Sequence, residues 1–177
     1  MDNNRVRIYM AGKVAKGDEI GTVRDWRDEY VQALSTRGVF EFISPEDPSL
    51  DESKPLEVFG HDCHHVKSCD VLIIDASSKL GAGTAQEMVI AKYFKKVVLT
   101  MLPKDPHHRR SNLKMYDFVV PDWIHPFVYA MSDEIFDNPR DLCDYLAGKG
   151  PGITSQPRRD LSFIDHAIDA YEQSRRP

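Results

Sequence analysis

Apolar residues along this chain gather in short blocks, and the blocks alternate between two spacings. Arg7-Ile8-Tyr9-Met10-Ala11 is a compact apolar run ending at Gly12 and predicts a first strand. A polar, glycine-bearing loop follows over 13–21. From Thr22 to Arg37 the spacing changes: Val23, Trp26, Tyr30 and Leu34 recur on one helical face, and Gly38 supplies a stop. Val39–Ile43 predicts a second strand, and the proline- and acid-rich stretch from Ser44 to Lys54 a loop. Pro55–Ser68 predicts a helix whose apolar face is Leu56, Phe59, Cys63 and Val66. Val71-Leu72-Ile73-Ile74-Asp75, a helical pattern from Met88 to Phe94, and Val97-Val98-Leu99 complete the alternation.

Strand, helix, strand, helix, strand, helix, strand is the order of an α/β domain, a parallel sheet with helices on both faces in the flavodoxin or Rossmann manner. Beyond Pro103 the pattern weakens. Lys104 to Arg110 predicts an exposed loop, and residues 117–136 mix short apolar pieces with Pro121 and Pro126. Pro139–Leu146 predicts a closing helix. Residues 148–159, rich in Gly, Pro and Ser, predict a linker. A last amphipathic helix over 160–177 carries Leu161, Ile164, Ile168 and Tyr171 on one side, suited to the domain or to a partner subunit.

A length of 177 residues suits one domain with a sizeable core. The net charge of −5 gives no basic field, which argues against a nucleic-acid polymer as partner. No apolar stretch reaches bilayer-spanning length, so no membrane association is expected. Residues 1–5 lack the apolar core of a signal peptide, and three cysteines without a CxxC pair suggest reduced thiols; together these predict a cytoplasmic protein.

Chemistry concentrates at Leu80-Gly81-Ala82-Gly83-Thr84-Ala85-Gln86-Glu87, where a buried strand hands over to a helix. In α/β sheets ligands bind beyond the strand C-termini, and small residues there let a ligand meet the backbone. By spacing alone Thr84–Glu87 is a capping box, Thr capping the helix and Glu reaching back. The alternative makes Glu87 a reactive carboxylate. Tyr9 at the end of the first strand faces the same crevice, and Asp62 approaches it if it lies on the exposed side of its helix.

With these pieces the sequence resembles the nucleoside 2-deoxyribosyltransferase family, which includes nucleoside 5′-monophosphate N-glycosidases. Ile8-Tyr9-Met10-Ala11-Gly12 is similar to its IYLAG strand. Asp62 with Val66-Lys67 and Asp70-Val71 is similar to its second segment, and Gly83-Thr84-Ala85-Gln86-Glu87 with Ala91 and Lys95-Lys96-Val97 to its third. The resemblance covers about the first 100 residues, within a domain over 1–147.

It implies cleavage of an N-glycosidic bond through a covalent glycosyl-Glu87 intermediate, with the (deoxy)ribosyl group passing to another base or to water. Asp62 is then the general acid/base and Tyr9 orients Glu87. Gly12, Gly83 and Thr84 are then the binding loops; Asp75, ending the central strand, either contacts the sugar or is a turn residue, and Ser77 is one of the small residues placed for substrate. No cofactor or metal is needed, and a homodimer or higher homo-oligomer is implied. Three positions depart from the family pattern. Lys13 replaces a proline, Ala82 replaces a sugar-binding acid, and Glu134 stands where an asparagine is expected after Ser132-Asp133. Loss of the acid at Ala82, beside small residues, favours a 5′-phosphate over a free hydroxyl.

A rival resemblance is to phosphoribohydrolases of the cytokinin-activating type, whose GGxGTxxE loop is similar to residues 81–87; the Tyr9 and Asp62 segments favour the first family. In a non-catalytic nucleotide-binding or sensor domain Glu87 is only a cap. The histidines and cysteines of 61–69 match no closed zinc site, and His107-His108-Arg109-Arg110 has the character of a solvated run. No dinucleotide or Walker A fingerprint occurs.

Overall fold

The computed structural model describes residues 5–14, 25–155 and 158–176. Five parallel strands form the main sheet: β1 (Val6–Ala11), β2 (Phe40–Ile43), β3 (Val71–Asp75), β4 (Val97–Met101) and β7 (Glu134–Phe136), in the order β2-β1-β3-β4-β7. The helices are α1 (Arg27–Ser35), α2 (Pro55–Ser68), α3 (Ala82–Tyr93), α4 (Pro126–Met131), α5 (Pro139–Lys149) and α6 (Ser162–Ser174). The expected α/β class holds, with helices on both faces.

Strand periodicity sorts the two faces. Val6, Ile8, Met10, Val71, Ile73, Val97 and Leu99 point to one side, against Tyr30 and Leu34 of α1 and Leu142 and Leu146 of α5. Tyr9, Ala11, Leu72, Ile74 and Val98 point to the other, against Val66 of α2, Met88 and Ala91 of α3, and Val128 and Met131 of α4. Both faces of the central strands are apolar because both are covered.

Several expectations change. The helix expected from Thr22 is described from Arg27; Val23 and most of the preceding loop lie outside the described residues. Gly38 ends the α1 unit with φ +68°, a left-handed turn that glycine adopts freely. α2 has the predicted bounds, but Leu56 and Phe59 are exposed and Val66 is its only fully buried residue.

The polar 104–110 stretch is not wholly a loop. Arg109 opens an antiparallel hairpin of β5 (Arg109–Met115) and β6 (Phe118–Ile124), separate from the main sheet. The stretch expected as a linker is partly folded: Gly150–Ser155 is a 3-10 turn that buries Ile153 completely in the α1/α5 core. Residues 156 and 157 of that stretch lie outside the described residues. α6 forms as expected, but it contributes no buried residue to the domain.

Candidate active site

Three elements converge on the α2/α3 face of the sheet. Tyr9 belongs to that face by strand parity, which places its ring between the two helices. Its hydroxyl donates to Glu87 Oε1 at 3.0 Å in a buried contact. Tyr9 is 3% exposed and Glu87 9% exposed.

This geometry corrects the capping-box reading. Gly81, in extended backbone conformation, is the helix cap; no side chain caps α3, and its first helical residue is Ala82. Thr84 is therefore already inside the first turn and buried. Glu87, a turn further on, turns inward to Tyr9 instead of back to the helix start.

Burial pushes the Glu87 carboxyl up to about 7, with the Asp62 charge acting in the same direction; the Tyr9 hydrogen bond and the Arg27 charge pull it partly back. The Tyr9 hydroxyl is held far above its usual value by burial first, then by Glu87 and Asp62. It therefore stays protonated and donates throughout the physiological range. Asp62 lies on α2 with its side chain 43% exposed, and its Oδ1 lies 3.1 Å from His61 Nδ1, within hydrogen-bond distance. Its charge is felt by Tyr9 and Glu87, but no hydrogen bond joins it to either.

The crevice at the strand ends has a closely packed corner. A Cβ added to Gly12 would lie 2.8 Å from Trp26 Cζ2 and 3.2 Å from Asp75 Cβ, so any side chain there displaces the indole. Asp75 ends β3 and accepts the Ser77 backbone N–H at 2.9 Å, forming a tight local turn. Ser77 and Gly83 are exposed. Gly12 and Asp75 thus share one corner, while Gly83 and Thr84 belong to the helix start and not to a free loop.

Arg27 joins this group. It is 6% exposed; its Nε donates to the Met10 carbonyl at 3.1 Å and its Nη1 to Asp25 Oδ1 at 3.0 Å. Its Nη2 is buried and has no partner among the described residues. From the sequence Arg27 is only a helix residue able to face the cleft. The signal that selects it, a buried cation whose charge reaches the buried Glu87, exists only once α1 is docked.

The loop before α3 is tied to the segment that leads into the hairpin. The Leu80 backbone N–H, one residue before the α3 cap, donates to His108 Nε2 at 2.9 Å. Nothing in the periodicity links position 108 to position 80. A cavity of about 310 Å³ lies under the hairpin, lined by Arg109, Asp133, Asp137 and Arg159 among others, and contains neither Glu87 nor Tyr9. Ser132 and Asp133 turn inward: Ser132 pairs with Thr100 Oγ1 at 2.7 Å, and Asp133 takes Lys92.

No family model and no curated protein matches the sequence. The fold does match solved structures. A conserved protein from Enterococcus faecalis V583 aligns with TM-score 0.58 at 14% identity, over 82% of this chain and 99% of its own. The 2-desoxiribosyltransferase from Leishmania mexicana aligns with TM-score 0.58 at 20% identity, over 81% and 97%. A 2-deoxyribosyltransferase from Bacillus psychrosaccharolyticus aligns with TM-score 0.53 at 18% identity, over 79% and 92%. The chain therefore has the fold that these deoxyribosyltransferases share.

Proposed function

We propose that this protein cleaves the N-glycosidic bond of a nucleoside or nucleoside 5′-monophosphate, with Glu87 as nucleophile. The observation that carries the reading is the buried Tyr9–Glu87 hydrogen bond. A carboxylate that is only partly ionised near neutrality, fixed by a hydroxyl on one oxygen, costs stability without obvious structural return. It does suit chemistry. Tyr9 holds Oε1 and leaves the other oxygen to bond C1′ as the base departs. The oxocarbenium-like transition state gains from a carboxylate in a dry site.

Asp62, partly exposed at the rim, supplies a proton to the leaving base and takes one from the incoming base or water. The bond from C1′ to the base breaks as that from C1′ to Glu87 forms. The second step reverses the exchange and restores both carboxyl groups. Gly12, Asp75, Ser77, Gly83 and Thr84 line the substrate path in this reading. A 5′-phosphate is favoured because Ala82 offers no acid to a sugar hydroxyl and the uncapped start of α3 attracts an anion. The exposed Val89, Tyr93 and Phe127 on the α3/α4 side suit burial in a homo-oligomer.

The test is base release from a panel of nucleosides and their 5′-monophosphates, with and without an acceptor base, for the wild type and Glu87→Gln. Turnover lost in Glu87→Gln supports the nucleophile. Dependence on acceptor separates transferase from hydrolase. A nucleoside that turns over as well as its monophosphate sinks the phosphate preference.

A further inference from the structure

Helix α2 presents a second proton-bearing chain beside the carboxylates. His61 Nδ1 lies 3.1 Å from Asp62 Oδ1, and His61 Nε2 lies 2.9 Å from His65 Nε2. The His65 ring in turn packs against Tyr9, with centroids 5.5 Å apart and planes tilted by 38°. Asp62, His61, His65 and Tyr9 thus form a continuous row that ends at Glu87.

Elementary hydrogen-bond accounting fixes the protons in this row. Two imidazole nitrogens at 2.9 Å share one hydrogen, so one ring donates and the other accepts. An ionised Asp62 only accepts, so His61 carries its proton on Nδ1. A neutral His61 then has a bare Nε2, and His65 must present Nε2–H to it. His65 Nδ1 is left bare.

We propose that His61 and His65 are a two-ring proton wire that orients Asp62 and sets its protonation. A proton taken from solvent at His65 Nδ1 releases the His65 Nε2 proton to His61 Nε2. His61 then passes its Nδ1 proton to Asp62. One proton enters, one arrives on the carboxyl, and both rings end neutral with their tautomers exchanged. The reverse movement discharges Asp62 after it has taken a proton from the incoming nucleophile.

The surroundings disfavour the charged form of the His65 ring. Burial holds His65 below its usual value, and His61 and His64 reinforce this, against the opposing charges of Asp62 and of Asp47 in the loop before α2. Across the gap from β1 the facing groups are the protonated Tyr9 and, behind it, Glu87 of α3.

The assignment of Asp62 as acid/base rests on the function proposed above, so the test has two independent parts. Ring 15N shifts of histidine-labelled protein at pH 8 report the tautomers without any turnover. The expected pattern is Nδ1–H on His61 and Nε2–H on His65; the opposite pattern, or two rings titrating independently, overturns the wire. In the base-release assay, His65→Phe keeps the packing on Tyr9 but removes both nitrogens. It is expected to lower turnover roughly tenfold and change the pH profile, a part of what general acid–base catalysis contributes. His65→Gln restores a donor and is expected to recover part of the rate with a pH profile unlike the wild type. An unchanged profile in His65→Phe overturns the wire. Absence of base release in the wild type overturns the function instead, and the 15N pattern still decides the wire.

Discussion

At the scale of single residues, Glu87 ties function and stability together. Its carboxyl moves from the usual 4.5 to about 7 because burial disfavours the charge. A raised carboxyl favours the folded state while both states are protonated, below about 4.5. That advantage is lost as pH rises through 7, where the folded protein must bury a charge. The shift corresponds to ~3 kcal/mol at full effect. Glu87→Gln, which does not titrate, is therefore expected to raise the melting temperature more at pH 8 than at pH 4.5 while abolishing base release. Thermal melts at the two pH values check the sign, and an equal gain at both contradicts a raised Glu87. Tyr9→Phe removes a hydrogen bond that favours the ionised form. The acid limb of kcat/KM, expected near 7 in the wild type, should move to higher pH in this variant, and a limb that stays or falls refutes the assignment.

Much of this was legible in the residues. Tyr9 and Glu87 both stand out in the sequence, and their meeting follows from strand parity plus one helix turn. Thr84 and Glu87 have capping-box spacing, but the helix is capped one turn earlier, at Gly81. No sequence pattern selects Arg27, since its significance lies in the long-range field at Glu87.

At the scale of elements, the β5–β6 hairpin is what pattern reading missed. Neither of its faces is buried in a sheet core, so the alternation of buried and exposed positions that marks a strand is weak. Pro121 also argues against a strand, yet a two-stranded ribbon has free edges that tolerate it. The anchor is Arg109, 8% exposed. It forks onto Asp122 at 2.8 and 2.7 Å, and its Nη1 reaches Asp137 Oδ1 at 2.5 Å and the Leu102 carbonyl at 3.0 Å. One guanidinium thus joins β6 to the residues just after β7 and β4, and the adjacent His108 holds the loop before α3. Arg109→Met is expected to cost about 2 kcal/mol, the scale of a lost charged hydrogen-bond set whose acceptors are partly solvated. Urea unfolding measures the loss. Faster amide exchange at Leu80 in the same variant would show that the hairpin steadies the site; unchanged exchange there would separate the two.

At the scale of the whole molecule, the alternation of strands and helices predicted the layers, but not the strand order, which depends on where each crossover lands. The later part of the chain is organised around Asp133 instead. Its Oδ2 accepts from Lys92 Nζ at 2.5 Å and from the Val98 N–H at 2.7 Å, while Oδ1 accepts the Arg159 N–H at 2.8 Å. Lys92 is 1% exposed, so α3, β4 and the segment leading to α6 meet over a buried cation. Periodicity gave no hint of this, because a lysine inside an apolar pattern looks like a surface residue. Removing one partner of a buried pair strands the other, which typically costs about 3–5 kcal/mol. α6 itself buries nothing, and Ile164, Ile168 and Tyr171 remain exposed along one side. Two changes near each other in the fold should therefore differ sharply. Asp133→Ala is expected to cost about 3–5 kcal/mol in urea unfolding, whereas deletion of residues 162–177 should leave the domain's stability almost unchanged. A large loss on deletion at high dilution would show that α6 packs more firmly on the domain than its exposed apolar side indicates. A loss that appears only as protein concentration rises would place its apolar side against another copy of the chain, since only assembly makes apparent stability depend on concentration.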